Sequence, residues 1–110
     1  MVGAGGALAG PIEDITKAED ACLMKGLRKS AEIVECQANG ARPIFARSFP
    51  EKLPVFEAYV IRRTVIARDY DARRISSAES SRRMTEAGKD LAVQLTGLVA
   101  ADWRSQPTLE

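Results

Sequence analysis

The chain has 110 residues, of which 45% are hydrophobic and 28% are charged, and its net charge is +1. This length fits one domain with a single compact core, and the composition argues against wholesale disorder. The near-neutral balance argues against bulk electrostatic binding to nucleic acid. Because histidine is absent, the chain lacks the commonest general base and the commonest metal ligand. No apolar run is long enough to predict a membrane-spanning helix.

Both ends are predicted to lie outside the folded part. Residues 1–12 are predicted to be a flexible leader, since the first ten hold four glycines, three alanines and no charge. They lack the charged and apolar regions of a signal peptide. Two interpretations stay open, a segment just after a removed export signal and a disordered cytoplasmic N-terminus. Residues 105–110 are predicted to be a tail, in which Leu109-Glu110 fits a vector scar, so residues 13–104 form the single helical domain.

The first helix is predicted over about residues 16–38. Thr16 and Glu19 fit a capping box, in which both side chains satisfy free amides at the helix start. Apolar residues then recur every three or four positions, which predicts one buried stripe. Asn39-Gly40 fits the left-handed backbone conformation with which many helices end. Three prolines over residues 41–54 predict a connector that packs across the helices.

The second helix is predicted over about residues 54–70, and the third over about residues 77–103. Pro54 is tolerated in a first turn, and Ser76 with Glu79 fits another capping box. The short turn between the two helices makes them antiparallel neighbours. We therefore predict an all-α fold, a small three-helix domain in which the N-terminal helix packs on a long helical hairpin.

The second helix is apolar on two sides, because Ala58, Ile61 and Val65 add a second face. Such a helix is either central in the fold, which we favour, or carries an oligomer contact. In the third helix, Gly88 either admits a neighbouring backbone or weakens the helix by ~1 kcal/mol.

Cys22 and Cys36 are the only cysteines. In one continuous helix they would lie ~21 Å apart, whereas a disulfide needs α-carbons within ~7 Å. We favour the unbroken helix, with two small buried thiols. The alternative is a disulfide, for which the helix must break near Gly26.

Arginine is concentrated at the turn between the second and third helices. Residues 58–85 hold seven arginines against three acidic residues, a net charge of +4. Arginine is suited to phosphate and carboxylate groups, which suggests a site for anionic lipid, nucleic acid or an acidic protein. We favour the other interpretation, which is solvated surface charge with local ion pairs. The candidate residues are Arg68, Arg73, Arg74, Arg82 and Arg83.

We predict that the protein is not an enzyme and that it holds no metal or cofactor. The serines near the third helix have no histidine base, and their spacing fits a helix start. The cysteines lack redox spacing, and zinc would need further ligands.

The stretch Tyr59-Val-Ile-Arg-Arg-Thr-Val-Ile-Ala67 is followed by Asp71-Ala-Arg-Arg-Ile-Ser-Ser-Ala-Glu79. This pattern resembles small exported or lipid-anchored helical proteins of bacteria, with a Tyr-rich helix, a short turn and an Ile-Ser/Thr-x-Ala-Glu helix start. The resemblance is confined to these residues. It implies a location in the cell envelope and no enzymatic residues.

Two functional hypotheses follow. The first is a non-catalytic helical protein of the bacterial cell envelope, periplasmic or secreted, that acts through contacts with an unidentified protein or with its own copies. The second is a cytoplasmic adaptor or regulator that uses the arginine-rich turn to bind an anionic partner such as nucleic acid.

Overall fold

The computed structural model describes the backbone of residues 3–95 and the side chains of residues 10–95. Within these residues the chain is helical and has no strand, which confirms the all-α prediction. The predicted three-helix arrangement is wrong, because this part of the chain holds four α-helices. They pack in chain order, with α2 between α1 and α3 and with α4 against α3. The helices are α1 (Gly3–Leu23), α2 (Ser30–Ser48), α3 (Leu53–Asp71) and α4 (Ser77–Leu95).

The single helix predicted over residues 16–38 is broken in the structure. Helix α1 ends at Leu23, and the amides of Met24 and Lys25 close the last turn with short-range bonds of 3.2 Å. Gly26 then has φ +72°, a left-handed conformation that glycine adopts without a steric cost. The chain therefore reverses here, and α2 packs back against α1.

The start of α1 also differs from the prediction. The helix begins at Gly3, so residues 3–12, which we expected in a flexible leader, are helical. Thr16 is an interior residue, and its hydroxyl donates to the Ile12 carbonyl at 3.1 Å rather than capping a helix. Residues 1 and 2 lie outside the described range.

The predicted connector over residues 41–54 is mostly helical, because α2 continues through Pro43 to Ser48. Pro43 is exposed, and it removes only its own backbone donor, while Ile44 and Phe45 beyond it are buried. The predicted stop at Gly40 is also wrong. A Cβ at this position would lie 3.0 Å from that of Ala18, so the glycine allows α1 and α2 to approach closely.

The α3–α4 hairpin agrees with the prediction in both ends of α3 and in the start of α4. A short 3₁₀ turn (Pro50–Lys52) leads into α3, and the Ser76 hydroxyl accepts the Glu79 amide at 3.0 Å, which confirms the cap before α4. Arg62 of α3 pairs with Asp90 of α4 at 2.6 Å. The part of the predicted third helix that follows Leu95 lies outside the described residues, as does the predicted tail.

The largest buried cluster is built on two stacked phenylalanines. The rings of Phe45 and Phe56 are 4.4 Å apart between centroids, and Phe49 meets Phe45 edge-on at 5.9 Å. Ala38, Ala41, Phe45, Phe56 and Leu95 form its buried centre. Partly buried side chains from α1, α3 and α4, together with Phe49 just after α2, surround this centre, so the whole cluster includes residues from all four helices.

A carboxylate from α3 caps the start of α2. The two oxygens of Asp71 accept the amides of Ser30 and Ala31, each at 2.9 Å. These amides have no partner within their own helix, and the negative charge lies at the positive end of the α2 dipole. Asp71 therefore holds the α1–α2 loop beside the α3–α4 turn.

The Asp71→Ala variant is expected to lower the free energy of unfolding by about 1–2 kcal/mol, because two helix amides lose their acceptor. Urea denaturation measures the change. Asp69→Ala is the matched control, since the one ion pair of Asp69 found within residues 10–95 is with exposed Arg74, and such a pair contributes about 0–1 kcal/mol. Equal losses in the two variants would contradict the capping role.

Candidate functional site

Cys22 and Cys36 are joined by a disulfide, with their α-carbons 5.9 Å apart. The bond connects the last turn of α1 to the second turn of α2, and Cys22 is buried. The prediction of an unbroken helix, in which these two residues would lie far apart, is therefore wrong. The turn at Gly26 brings them together. The disulfide therefore fixes the α1–α2 hairpin beside the end of the molecule that carries the predicted arginine site.

Basic residues from two connections meet at this end of the bundle. Arg28 and Lys29 of the α1–α2 loop line an open cleft of about 740 Å³ together with Arg73 and Arg74 of the α3–α4 turn. Arg28 and Lys29 were not predicted as part of the site, because the predicted first helix continued through both positions. We call Arg28, Lys29, Arg73 and Arg74 the basic end.

The five predicted arginines do not form one cluster. Arg82 and Arg83 both pair with Glu79 along α4, and Arg82 also pairs with Glu86 at 2.8 Å. Arg74 pairs with Asp69 at 3.1 Å. For Arg68 and Arg73 no ion pair is found within residues 10–95. Arg73 also has φ +62° at the turn.

The Glu79 pairs have a measurable consequence for acid titration. Hydrogen bonds from Arg82 and Arg83 lower the pKa of Glu79 from 4.5 to about 2. Because the pKa is depressed in the folded state, the stabilisation is present above pH 4.5 and is lost as the pH falls through about 2.

We expect the Glu79 side-chain carboxyl resonance to titrate with a midpoint near pH 2 in NMR spectra. Substituting both Arg82→Gln and Arg83→Gln should return the midpoint toward 4.5. Arg68→Gln is the control, since Arg68 does not contact Glu79. A wild-type midpoint near 4.5 would contradict the ion-pair geometry.

Helix α3 exposes part of its second apolar face. Ile61 is 66% exposed and Val65 is 55% exposed, and Ala58 is also on the surface. Helix α3 packs between α2 and α4, as the favoured central position predicts, and this position leaves the second apolar face exposed. Positions 58, 61, 65 and 68 share one side of a helix, so the apolar stripe leads to Arg68. We call Ala58, Ile61 and Val65 the α3 stripe.

Groups typical of a catalytic or metal site are sparse in the described part of the chain. Residues 10–95 contain no cluster of three or more acidic or cysteine side chains placed to hold a metal ion. The hydroxyl of Ser76 is used in the helix cap, and the chain has no histidine to activate any serine. Of the helices in the described range, none has the length and apolar character needed to cross a membrane.

Comparison of the chain with protein-family models, curated proteins and solved structures finds no match. Function is therefore inferred from the residues of the chain itself.

Proposed function

We propose that this protein is a non-catalytic helical protein of the bacterial cell envelope that acts through protein contacts, and that the α3 stripe is its contact surface. The observation that carries the proposal is the exposure of Ile61 and Val65 on the outer side of a helix whose opposite side is in the core. Contiguous exposed apolar surface is typical of interaction sites.

The spacing and charge of the stripe suit a helical partner segment. When one helix packs along another, the side chains that make the contact are spaced three and four residues apart. Arg68 is exposed and extends the same side, and no ion pair to it is found within residues 10–95. The partner segment is therefore expected to be apolar with an acidic residue near one end, which would complement the charge of Arg68.

The disulfide supports a location outside the cytoplasm, because structural disulfides persist mainly in oxidising compartments. The test is alkylation of thiols in intact cells with a mass-adding maleimide, with and without reductant. We expect modification only after reduction, in a periplasmic or secreted fraction. Free thiols in cells, or recovery in the cytoplasm, would contradict the envelope location.

The contact surface is tested by site-specific photo-crosslinking in cells. A photoreactive residue at position 61 or 65 is expected to give a discrete adduct, whereas position 93 is the control because Val93 is 72% exposed on α4. Excess unlabelled wild-type protein should compete for the adduct, and the Val65→Glu competitor should not. Mass spectrometry identifies a different protein or a second copy of this chain. Equal labelling at all three positions, or none, would contradict the proposal.

A second candidate function is that of a cytoplasmic adaptor or regulator which binds an anionic partner, such as nucleic acid or anionic lipid, through the basic end. The observation that favours it is the cleft lined by four cationic side chains from two connections. Arg73→Glu with Arg74→Glu should abolish binding to anionic vesicles and to nucleic acid, since phosphate binding depends on these charges. Arg82→Glu is the control on α4. Unchanged binding in the double variant would eliminate this function.

A further inference from the structure

A cavity of about 310 Å³ is lined by residues of all four helices, and none of them belongs to the α3 stripe or the basic end. Sites for small organic molecules in proteins have volumes of ~300–1,000 Å³ and mostly apolar walls with a few polar groups. The cavity has both the volume and this character. Its main lining residues are Ile12 and Ile15 of α1, Phe45 of α2, Phe56 and Tyr59 of α3, and Leu91 of α4.

Glu19 is the one charged residue among the described residues that line this cavity. No hydrogen bond or ion pair to its carboxylate is found within residues 10–95. Burial raises the pKa of Glu19, and the charge of Arg63 opposes this effect only in part. Arg63 does not line the cavity, and its guanidinium lies 5.6 Å from the ring centroid of Tyr59. The cavity therefore presents an unpaired, partly desolvated acid beside aromatic rings.

We propose that this cavity binds a small apolar amine, whose hydrocarbon body packs on Phe45, Phe56 and Leu91 and whose ammonium group pairs with the Glu19 carboxylate.

The chemistry of the lining favours an amine over other small molecules. An ammonium group donates a charge-assisted hydrogen bond to the Glu19 carboxylate. A ligand carboxylate would be repelled by Glu19. A neutral alcohol of the same shape would keep the apolar contacts and lose the charge pairing.

Binding is tested by calorimetric and NMR titration at pH 7 with three probes of similar shape: phenethylamine, 2-phenylethanol and 3-phenylpropanoate. The amine is expected to bind at least about tenfold more tightly than the alcohol, because a hydrogen bond to a charged group is worth that much or more. The acid is expected not to bind. Shifts of the Ile15 and Leu91 methyl resonances would place the amine in the cavity.

Two variants separate charge recognition from the apolar cavity. The Glu19→Gln variant should bind the amine and the alcohol with about equal affinity, because the carboxylate supplies the preference for the amine. Glu13→Gln is the matched control, since Glu13 is exposed on the same helix and does not line the cavity. Gly88→Leu should abolish binding of both probes. Among the described residues, no atom lies within 4 Å of a Cβ at this lining position, and leucine favours a helix over glycine.

Thermal unfolding followed by circular dichroism checks that each variant is folded. Equal affinities of wild-type protein for amine and alcohol, tighter binding of the acid, or an unchanged preference in Glu19→Gln would overturn the proposal. So would the absence of amine binding to the folded wild-type protein. These outcomes do not bear on the α3 stripe, so the two proposals fail independently.

Discussion

Removal of the Cys22–Cys36 disulfide is expected to lower the free energy of unfolding by about 2–4 kcal/mol. The bond closes a loop with a sequence separation of 14 residues, and the chain-entropy model gives ~3 kcal/mol for a loop of about this length. The test is urea denaturation of the Cys22→Ala, Cys36→Ala double variant. Alanine is used because Cys22 is buried, where a serine hydroxyl would add a desolvation cost.

Reduced wild-type protein is the companion sample, since it loses the bond and keeps both sulfur atoms. It should lose stability by about the same amount, whereas reductant should have no effect on the double variant. Equal stability of oxidised and reduced wild-type protein would show that the bond does not support the fold. Such a result would also weaken the argument for an oxidising compartment. That argument assumes that the folded protein needs the disulfide for its stability.

Phe45→Ala is expected to lower the free energy of unfolding by about 3–5 kcal/mol, the range for aromatic truncations in protein cores. Phe45 is 4% exposed, stacks on Phe56 and contacts Phe49 edge-on. Its removal would lose buried area and leave a cavity where α2 meets α3. Small domains have total stabilities of ~5–15 kcal/mol, so this variant is expected to be only marginally folded at 25 °C.

Phe45→Leu provides a graded comparison, since it retains much of the apolar volume and should cost less than the alanine variant. Val93→Ala is the surface control, because Val93 is 72% exposed and surface substitutions usually change stability by less than about 0.5 kcal/mol. Chemical denaturation followed by circular dichroism measures all three. A loss below ~1 kcal/mol for Phe45→Ala would mean that the aromatic cluster is not the centre of the fold.

The candidate sites were only partly predictable from the sequence. Arg73 and Arg74 were expected at a turn, and they lie there because Ser76 starts α4 immediately afterwards. Arg28 and Lys29 were missed, because their place beside that turn depends on the Asp71 cap, across about 40 positions of sequence. Glu19 was interpreted as part of a helix cap, whereas it lies inside α1 and lines the cavity.

Local sequence patterns are enough to predict that the described residues are helical and to locate α3 and the start of α4. These features depend on interactions within a few residues, such as apolar periodicity, a proline in the first turn and a serine cap. Where the first half of the chain breaks and where it continues as a helix depends instead on contacts between helices. The passage of α2 through Pro43 opposes the local preference of proline, and the break at Gly26 interrupts the apolar stripe that favoured a continuous helix. They are stabilised by contacts distant in sequence, which are the disulfide, the Asp71 cap and the packing of Phe45 on Phe56.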